Sequence, residues 1–220
     1  MKKKMKLAVF GIVIMITVLG AAFFVQTVGN GKNPSGPIRV ACVGDSITEG
    51  YEYPNDLGAL LGVNYTVGNF GAGGTTVSLS AQTPYMNQTA FEEAKQFQPK
   101  IVIIMLGAND ASPENEKYIS NFVGDYLKLI NAFQALSSKP QVWIVAPPPV
   151  FHNGTGLSTE FYDENVIPSI EQVAKEANLP VVDVYSAFAS HSDYLWDGVH
   201  PSGEGSKLIA QEIFDALTSK

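Results

Sequence analysis

Cysteine and arginine are nearly absent from this chain. A single cysteine, Cys42, leaves no second thiol for an internal disulfide. A single arginine, Arg39, removes the side chain best suited to bidentate capture of phosphate or carboxylate. Basic residues are outnumbered 14 to 21, for a net charge of −7. Lys2, Lys3, Lys4 and Lys6 fall within residues 1–29, which hold no acidic residue; without that segment the balance is 10 against 21, or −11. Such a chain lacks the basic footprint of a nucleic-acid binder, and a nucleic-acid partner is excluded. There are only three histidines, and no third histidine or cysteine clusters with Asp197 and His200, which argues against a metal site.

Apolar residues are plentiful, and part of the excess lies at the N-terminus. The four lysines precede an uncharged run over residues 7–28, with an apolar core over 7–25. That core is close to the ~20 residues that span a bilayer. Residues 1–29 read as a secretory signal or an uncleaved anchor. Thr27-Val28-Gly29 is a usable cleavage site, and both outcomes stay open. The basic flank stays on the cytoplasmic side, so the rest of the chain is expected to be exported. Contact with a membrane is expected only through this segment. Residues 30–37, rich in Gly, Asn and Pro, read as a linker. Residues 38–220 suffice for one domain.

Within that domain, apolar runs alternate with helical periodicity. Strands are expected at 38–43, 65–67, 101–106, 142–146 and 181–184. The run 101–106, rich in Ile and Val, suits a central strand buried on both faces. Helices are expected at 54–61, 85–97, 118–136, 161–177 and 202–217, with Pro168 breaking or restarting the fourth. The alternation implies a three-layer α/β/α fold with a five-stranded parallel sheet and right-handed crossovers. Ligands of such sheets bind beyond the carboxyl ends of the strands. Ser46, Gly74, Asn109 and the loop after Ala146 then share one rim.

Four stretches on that rim carry chemistry: Gly44-Asp45-Ser46, Gly73-Gly74, Gly107-Ala108-Asn109-Asp110 and Asp197-Gly198-Val199-His200. Acyl transfer needs a nucleophile, a base, a group that fixes the base's tautomer, and donors for the oxyanion. Ser46 fits the nucleophile and His200 the base. Asp197, three residues earlier in a turn, can reach the other imidazole nitrogen. The backbone N–H groups of Ser46 and Gly74 and the Asn109 amide fit the oxyanion hole.

In order and spacing these stretches resemble the SGNH (GDSL-type) hydrolases. The blocks quoted above align with that family's serine, glycine, asparagine and Asp-x-x-His blocks. The resemblance covers residues 38–217. Ile47 departs from the leucine of the lipase-like members, a change common in the carbohydrate-esterase branches. Asn69-Phe70-Gly71, Pro147-Pro148-Pro149-Val150-Phe151 and the Pro201 that follows His200 look like the sialate O-acetylesterase-like or acetyl-xylan-esterase-like subgroup. The resemblance implies a flavodoxin-like fold, no metal, no organic cofactor, and an open site used to deacetylate sugars. Because Arg39 belongs at the N-terminal end of the first strand, an O-acetylated saccharide is favoured over a sialic acid in particular.

Other readings of the same residues stand beside these. Ser46 and Asn109 also suit plain helix or turn caps. Asp110 reads as a cap, and Asp45 as a turn residue that binds backbone. Gly71 to Gly74 lacks the Lys-Ser/Thr ending of a phosphate loop. His152 and His191 read as surface loop residues. Glu49, Tyr51, Tyr53, Phe151 and Trp196 are expected to border the site, where aromatic faces suit sugar rings. Asn64, Asn87 and Asn153 each begin an Asn-x-Thr sequence. The rival functions are a lysophospholipase or thioesterase acting on lipid esters, and a catalytically silent carbohydrate-binding surface protein.

Overall fold

The structure, a computed structural model, describes residues 36–151 and 154–219. The expected signal or anchor, most of the linker, His152 and Asn153 lie outside the described residues. Among the described residues no helix is long and apolar enough to cross a membrane.

The chain runs β1 (Ile38–Gly44), α1 (Ser46–Glu49), α2 (Tyr53–Leu61), β2 (Tyr65–Gly71), α3 (Thr89–Gln96), β3 (Ile101–Met105), α4 (Ile119–Gln134), β4 (Gln141–Ala146), α5 (Thr159–Phe161), α6 (Ile167–Ala177), β5 (Val181–Asp183), α7 (Val184–Ala187) and α8 (Gly203–Thr218). All strand pairs are parallel, in the order β2-β1-β3-β4-β5. The three-layer α/β/α fold expected from the alternation is the one observed.

Strand periodicity sorts the core into two layers. Ala41, Val43, Val102, Ile104, Val142 and Ile144 face one side of the sheet, where Phe91 of α3, Phe122 and Phe133 of α4 and Ile170 of α6 cover them. Their neighbours Val40, Cys42, Ile103, Met105 and Val145 face the other, against Leu57 of α2 and Ile209 and Ile213 of α8. Successive side chains of a strand point to opposite faces, so apolar runs buried on both sides feed two cores at once. Cys42 is a fully buried member of the second core, where burial pushes its thiol up to about 12.

Several elements differ from their expected extent. β2 runs on to Gly71 instead of stopping at Val67, because every residue from Tyr65 to Gly71 pairs with β1. Its glycines look like loop in sequence, but Gly71 needs to be small: a Cβ there would lie 2.1 Å from the Glu49 backbone N and 2.7 Å from Thr48 C. The helix expected over 85–97 is a 3₁₀ turn, Tyr85–Asn87, followed by α3. The break at Pro168 takes the form of a π-helical stretch, Tyr162–Val166, between α5 and α6. Proline has no N–H to close the regular helical bond at that point. β5 is shorter than expected, because Asp183 turns to cap α7 by accepting from Ser186 N–H.

Tyr53 does not border the site. It is fully buried, and its hydroxyl hydrogen-bonds Thr48 Oγ1 at 3.0 Å inside the second core. Arg39 lies at the strand end opposite Ser46, as expected; its guanidinium donates to Gln98 O at 2.8 and 3.0 Å and lies over the Phe97 ring.

The close approach at Gly71 gives a contrast. Gly71→Ala should destabilise the fold by about 3 kcal/mol, since the obstacle is backbone that cannot rotate away. Gly58→Ala, in α2, would meet only Val67 side-chain atoms at 3.6 and 3.7 Å. It should stabilise by about 0.5–1 kcal/mol through the helix propensity of alanine. Urea unfolding of both variants measures this pair; a Gly71→Ala protein as stable as the parent would refute the packing account.

Candidate active site

The strand order reverses between β1 and β3, and in this topology a crevice opens there beyond the carboxyl ends. β1 delivers Ser46 and β3 delivers Asn109 to its two sides. Gly44 pairs with Met105 at the end of the ladder, so both chains leave the sheet at the same level.

The turn that carries Ser46 is held from three directions. Asp45 caps α1, with Oδ1 accepting from Ile47 N–H at 3.0 Å. Asn69, on β2, donates its amide to Thr48 O at 2.6 Å and Glu49 O at 3.3 Å, while its Oδ1 accepts from Gly71 N–H at 3.0 Å. Glu49 Oε2 accepts from Gly73 N–H at 2.9 Å. Glu49 therefore anchors the glycine loop, a different task from the substrate contact expected of it. No role was anticipated for Asn69; the signal available was an asparagine inside a strand, which β propensity disfavours.

Ser46 Oγ lies 3.0 Å from His200 Nε2, and His200 Nδ1 lies 2.7 Å from Asp197 Oδ2. Asp197 Oδ1 accepts from Val199 N–H at 3.0 Å and His200 N–H at 2.8 Å. Burial pushes the Asp197 carboxyl up, but the hydrogen bonds from His200 and Val199 outweigh it and hold the group below the usual carboxylate range. An ionised Asp197 only accepts, so the proton sits on His200 Nδ1 and the Nε2 lone pair faces the serine. The turn carrying both residues is closed by the Leu195–Pro201 bridge and by Trp196 N–H donating to His200 O. Phe151 N–H donates to Gly198 O, and its ring packs against the second core. Phe151 thus supports the turn from behind and does not line the pocket.

Ser46, Gly74, Asn109 and His200 line one pocket of about 290 Å³, together with the apolar side chains of Ile47, Ala108, Leu157 and Val199. Thr155 and Leu157 also line it, from a stretch that showed no sequence signal beyond being a loop. Gly74 has φ +72°, the left-handed region that favours glycine, and a Cβ there would meet nothing. Conformation, not crowding, therefore makes position 74 a glycine. Among the described residues the Ser46 and Gly74 backbone N–H groups have no hydrogen-bond acceptor. Asn109 Nδ2 donates to Thr75 O at 3.0 Å and, more weakly, to Asp45 Oδ2 at 3.4 Å.

Asp110 is structural, though not as a cap of its own turn. Its carboxylate reaches across to Val77 N–H at 2.8 Å and Ser78 N–H at 3.0 Å and fixes the loop that follows Gly74. Asp45 and Asp110 are both buried beneath the pocket. Burial pushes Asp45 up to about 7, against the pull of the Ile47 N–H and of His200. Burial pushes Asp110 up to about 6, against its two backbone donors.

Tyr51 and Trp196 flank His200. Their ring planes lie within 20° and 22° of the imidazole, with centroids 5.5 and 6.0 Å away. Trp196 Nε1 donates to the Tyr51 hydroxyl at 3.2 Å. His191 lies half-buried against Tyr194, outside the pocket.

Residues 42–208 match the GDSL-like lipase/acylhydrolase family. The chain is 32% identical over 206 residues to an acetylxylan esterase of Xylanibacter ruminicola, covering 82% of this chain and 43% of that protein. It is 28% identical over 153 residues to the GDSL esterase/lipase WDL1 of Oryza sativa subsp. japonica, covering 58% of this chain and 56% of the relative. The chain thus spans about half the length of the curated relatives it matches. Among solved structures, the acetylxylan esterase Axe2 of Geobacillus stearothermophilus superimposes with a TM-score of 0.67 at 22% identity, covering 84% of this chain and 96% of that one. An aryl esterase of M. smegmatis gives 0.67 at 17% identity, covering 83% and 99%. At these identities the two structures speak for the fold.

The acids around the site set a pH dependence. Asp110 holds its proton more tightly folded than unfolded, so its contribution is fully present below pH 3.8 and is lost as pH rises through about 6. Asp197 acts in the opposite sense: its contribution is present above its unfolded value and lost as pH falls through the depressed folded one. Asp110→Asn should therefore flatten the fall in Tm between pH 4 and 7, measured by calorimetry. An unchanged slope would show that Asp110 is ionised throughout.

Proposed function

Because the chain belongs to the GDSL-like lipase/acylhydrolase family, we propose that it is an exported serine esterase that removes short acyl groups, chiefly acetyl, from carbohydrate. The observation that carries this reading is the Ser46–His200–Asp197 series, at 3.0 and 2.7 Å, opening into a pocket lined by Gly74 and Asn109.

His200 Nε2 takes the Ser46 proton as Oγ attacks the ester carbonyl. The tetrahedral oxyanion accepts from Ser46 N–H, Gly74 N–H and Asn109 Nδ2, which gives up its long contact with Asp45. His200 then protonates the departing alcohol oxygen, and a water activated by the same nitrogen releases the acid from Ser46. Asp197 stays ionised and holds the imidazole in the tautomer that each step needs. The site's own residues complete this cycle without an additional cofactor.

A saccharide substrate draws support from the relative named acetylxylan esterase. Short acyl groups suit a pocket of about 290 Å³, at the lower end for small-molecule sites. Arg39 is occupied with Gln98 O at the far end of β1, so it does not read a substrate carboxylate. Export rests on the lysines ahead of the uncharged run 7–28.

Hydrolysis of p-nitrophenyl esters from C2 to C12 tests the reading. Turnover should be fastest at C2 and should vanish in Ser46→Ala. Asn109→Ala should lower kcat by about 10²–10³ with little change in KM, as for loss of one oxyanion donor. A preference for C8 or longer would replace the carbohydrate reading with a lipid one. Activity surviving in Ser46→Ala would remove the serine mechanism.

A further inference from the structure

Trp196 is 66% exposed, an unusual position for an indole. Its orientation is nevertheless fixed at both ends. The backbone N–H donates to His200 O at 3.0 Å, and the indole N–H donates to the Tyr51 hydroxyl at 3.2 Å. A centroid separation of 6.0 Å at a small interplanar angle makes the contact of Trp196 with His200 offset, and the indole stays largely exposed. A rigid aromatic shelf therefore stands open beside the imidazole.

Acyl transfer decides which half of an ester meets this shelf. The departing oxygen takes its proton from His200 Nε2, so the alcohol half lies on the imidazole side. The acyl half lies toward Gly74 and Asn109. One face of a pyranose ring is lined by C–H groups, while its hydroxyls point outward around the rim. The C–H face suits an exposed indole. The Tyr51 hydroxyl accepts from Trp196 and so keeps its own proton to donate to a rim hydroxyl.

We propose that Trp196 and Tyr51 form the subsite for the sugar ring of the departing alcohol, and that this shelf sets the preference for a pyranosyl ester over an acyclic one. The proposal rests on the esterase reading of the same site.

The test compares kcat/KM for an acetylated methyl pyranoside with that for triacetin, an acyclic acetate ester. p-Nitrophenyl esters are unsuitable, because their aromatic leaving group can occupy the shelf itself. Trp196→Ala should lower the pyranoside-to-triacetin ratio about tenfold, mainly through KM for the sugar. Trp196→Phe, which keeps an aromatic face, should recover most of it, and Tyr51→Phe should lower it less. Equal losses on both esters would mean that the indole only steadies His200, and would overturn the proposal. So would an unchanged ratio, including one accompanied by a change of mass in light scattering, which would assign the indole to contact between copies. If the parent protein cleaves neither ester, the esterase reading fails separately. The shelf is then read by titrating the unacetylated methyl pyranoside against indole fluorescence, with Trp196→Phe as reference. Saturable quenching specific to Trp196 supports the shelf, and its absence overturns it.

Discussion

The parallel pairing of β1 with β3 is the constraint on which the site depends. It brings two strands that are distant in sequence to a common edge, with Gly44 opposite Met105. Everything reactive follows from what the chain does in the next few residues. On one side it turns at once into α1 and presents Ser46. On the other it forms the 3₁₀ turn Ala108–Ala111 and presents Asn109. Both strands are buried on both faces, so neither can slip by one residue without moving a whole apolar face into the wrong layer. The spacing between Ser46 and Asn109 is therefore set by the packing of two cores, not by the loops alone.

Above the sheet, buried carboxylates replace regular secondary structure. Asp45 ties α1 to its own cap and lies within reach of Asn109. Asp110 and Asp125 take backbone N–H groups from Val77, Ser78 and Leu79, and so tether the long connection after Gly74. Buried backbone donors must find acceptors somewhere. In this loop no strand supplies them, and acidic side chains from neighbouring elements do. Desolvation raises the pKa values of Asp45 and Asp110, whereas at Asp197 the hydrogen bonds from His200 and Val199 outweigh it.

Much of this was legible in the sequence. The Ile- and Val-rich runs gave the strands because burial on both faces leaves a continuous apolar signature, as 101–105 shows. Ser46 and Asn109 fall on one rim because each closely follows a strand end, and Asp197 and His200 because they lie in the connection that follows β5. Gly74 joins them through the glycine-rich stretch after β2, and the resemblance to the SGNH hydrolases agrees with that placement. What was not legible depended on distant partners. Glu49 is polar and close to Ser46, which suggests substrate contact, yet its carboxylate holds Gly73. Tyr53 looked like a rim aromatic, but the turn after α1 brings it into the core. Thr155 and Leu157 enter the pocket only through tertiary folding of a loop with no periodicity. β2 extends past Val67 although its glycines and Asn69 oppose strand propensity, and only the contact between Gly71 and α1 and the bonds from Asn69 to that helix explain them.

The hydrogen bond between Ser46 and His200 joins residues 154 positions apart in the chain. One partner leaves the first strand of the domain, and the other lies just before its last helix. A growing chain therefore carries Ser46 long before it carries either Asp197 or His200. The contact between Ser46 and His200 can close only once nearly the whole domain has been made, so the complete arrangement belongs to the finished fold and to no shorter piece of it.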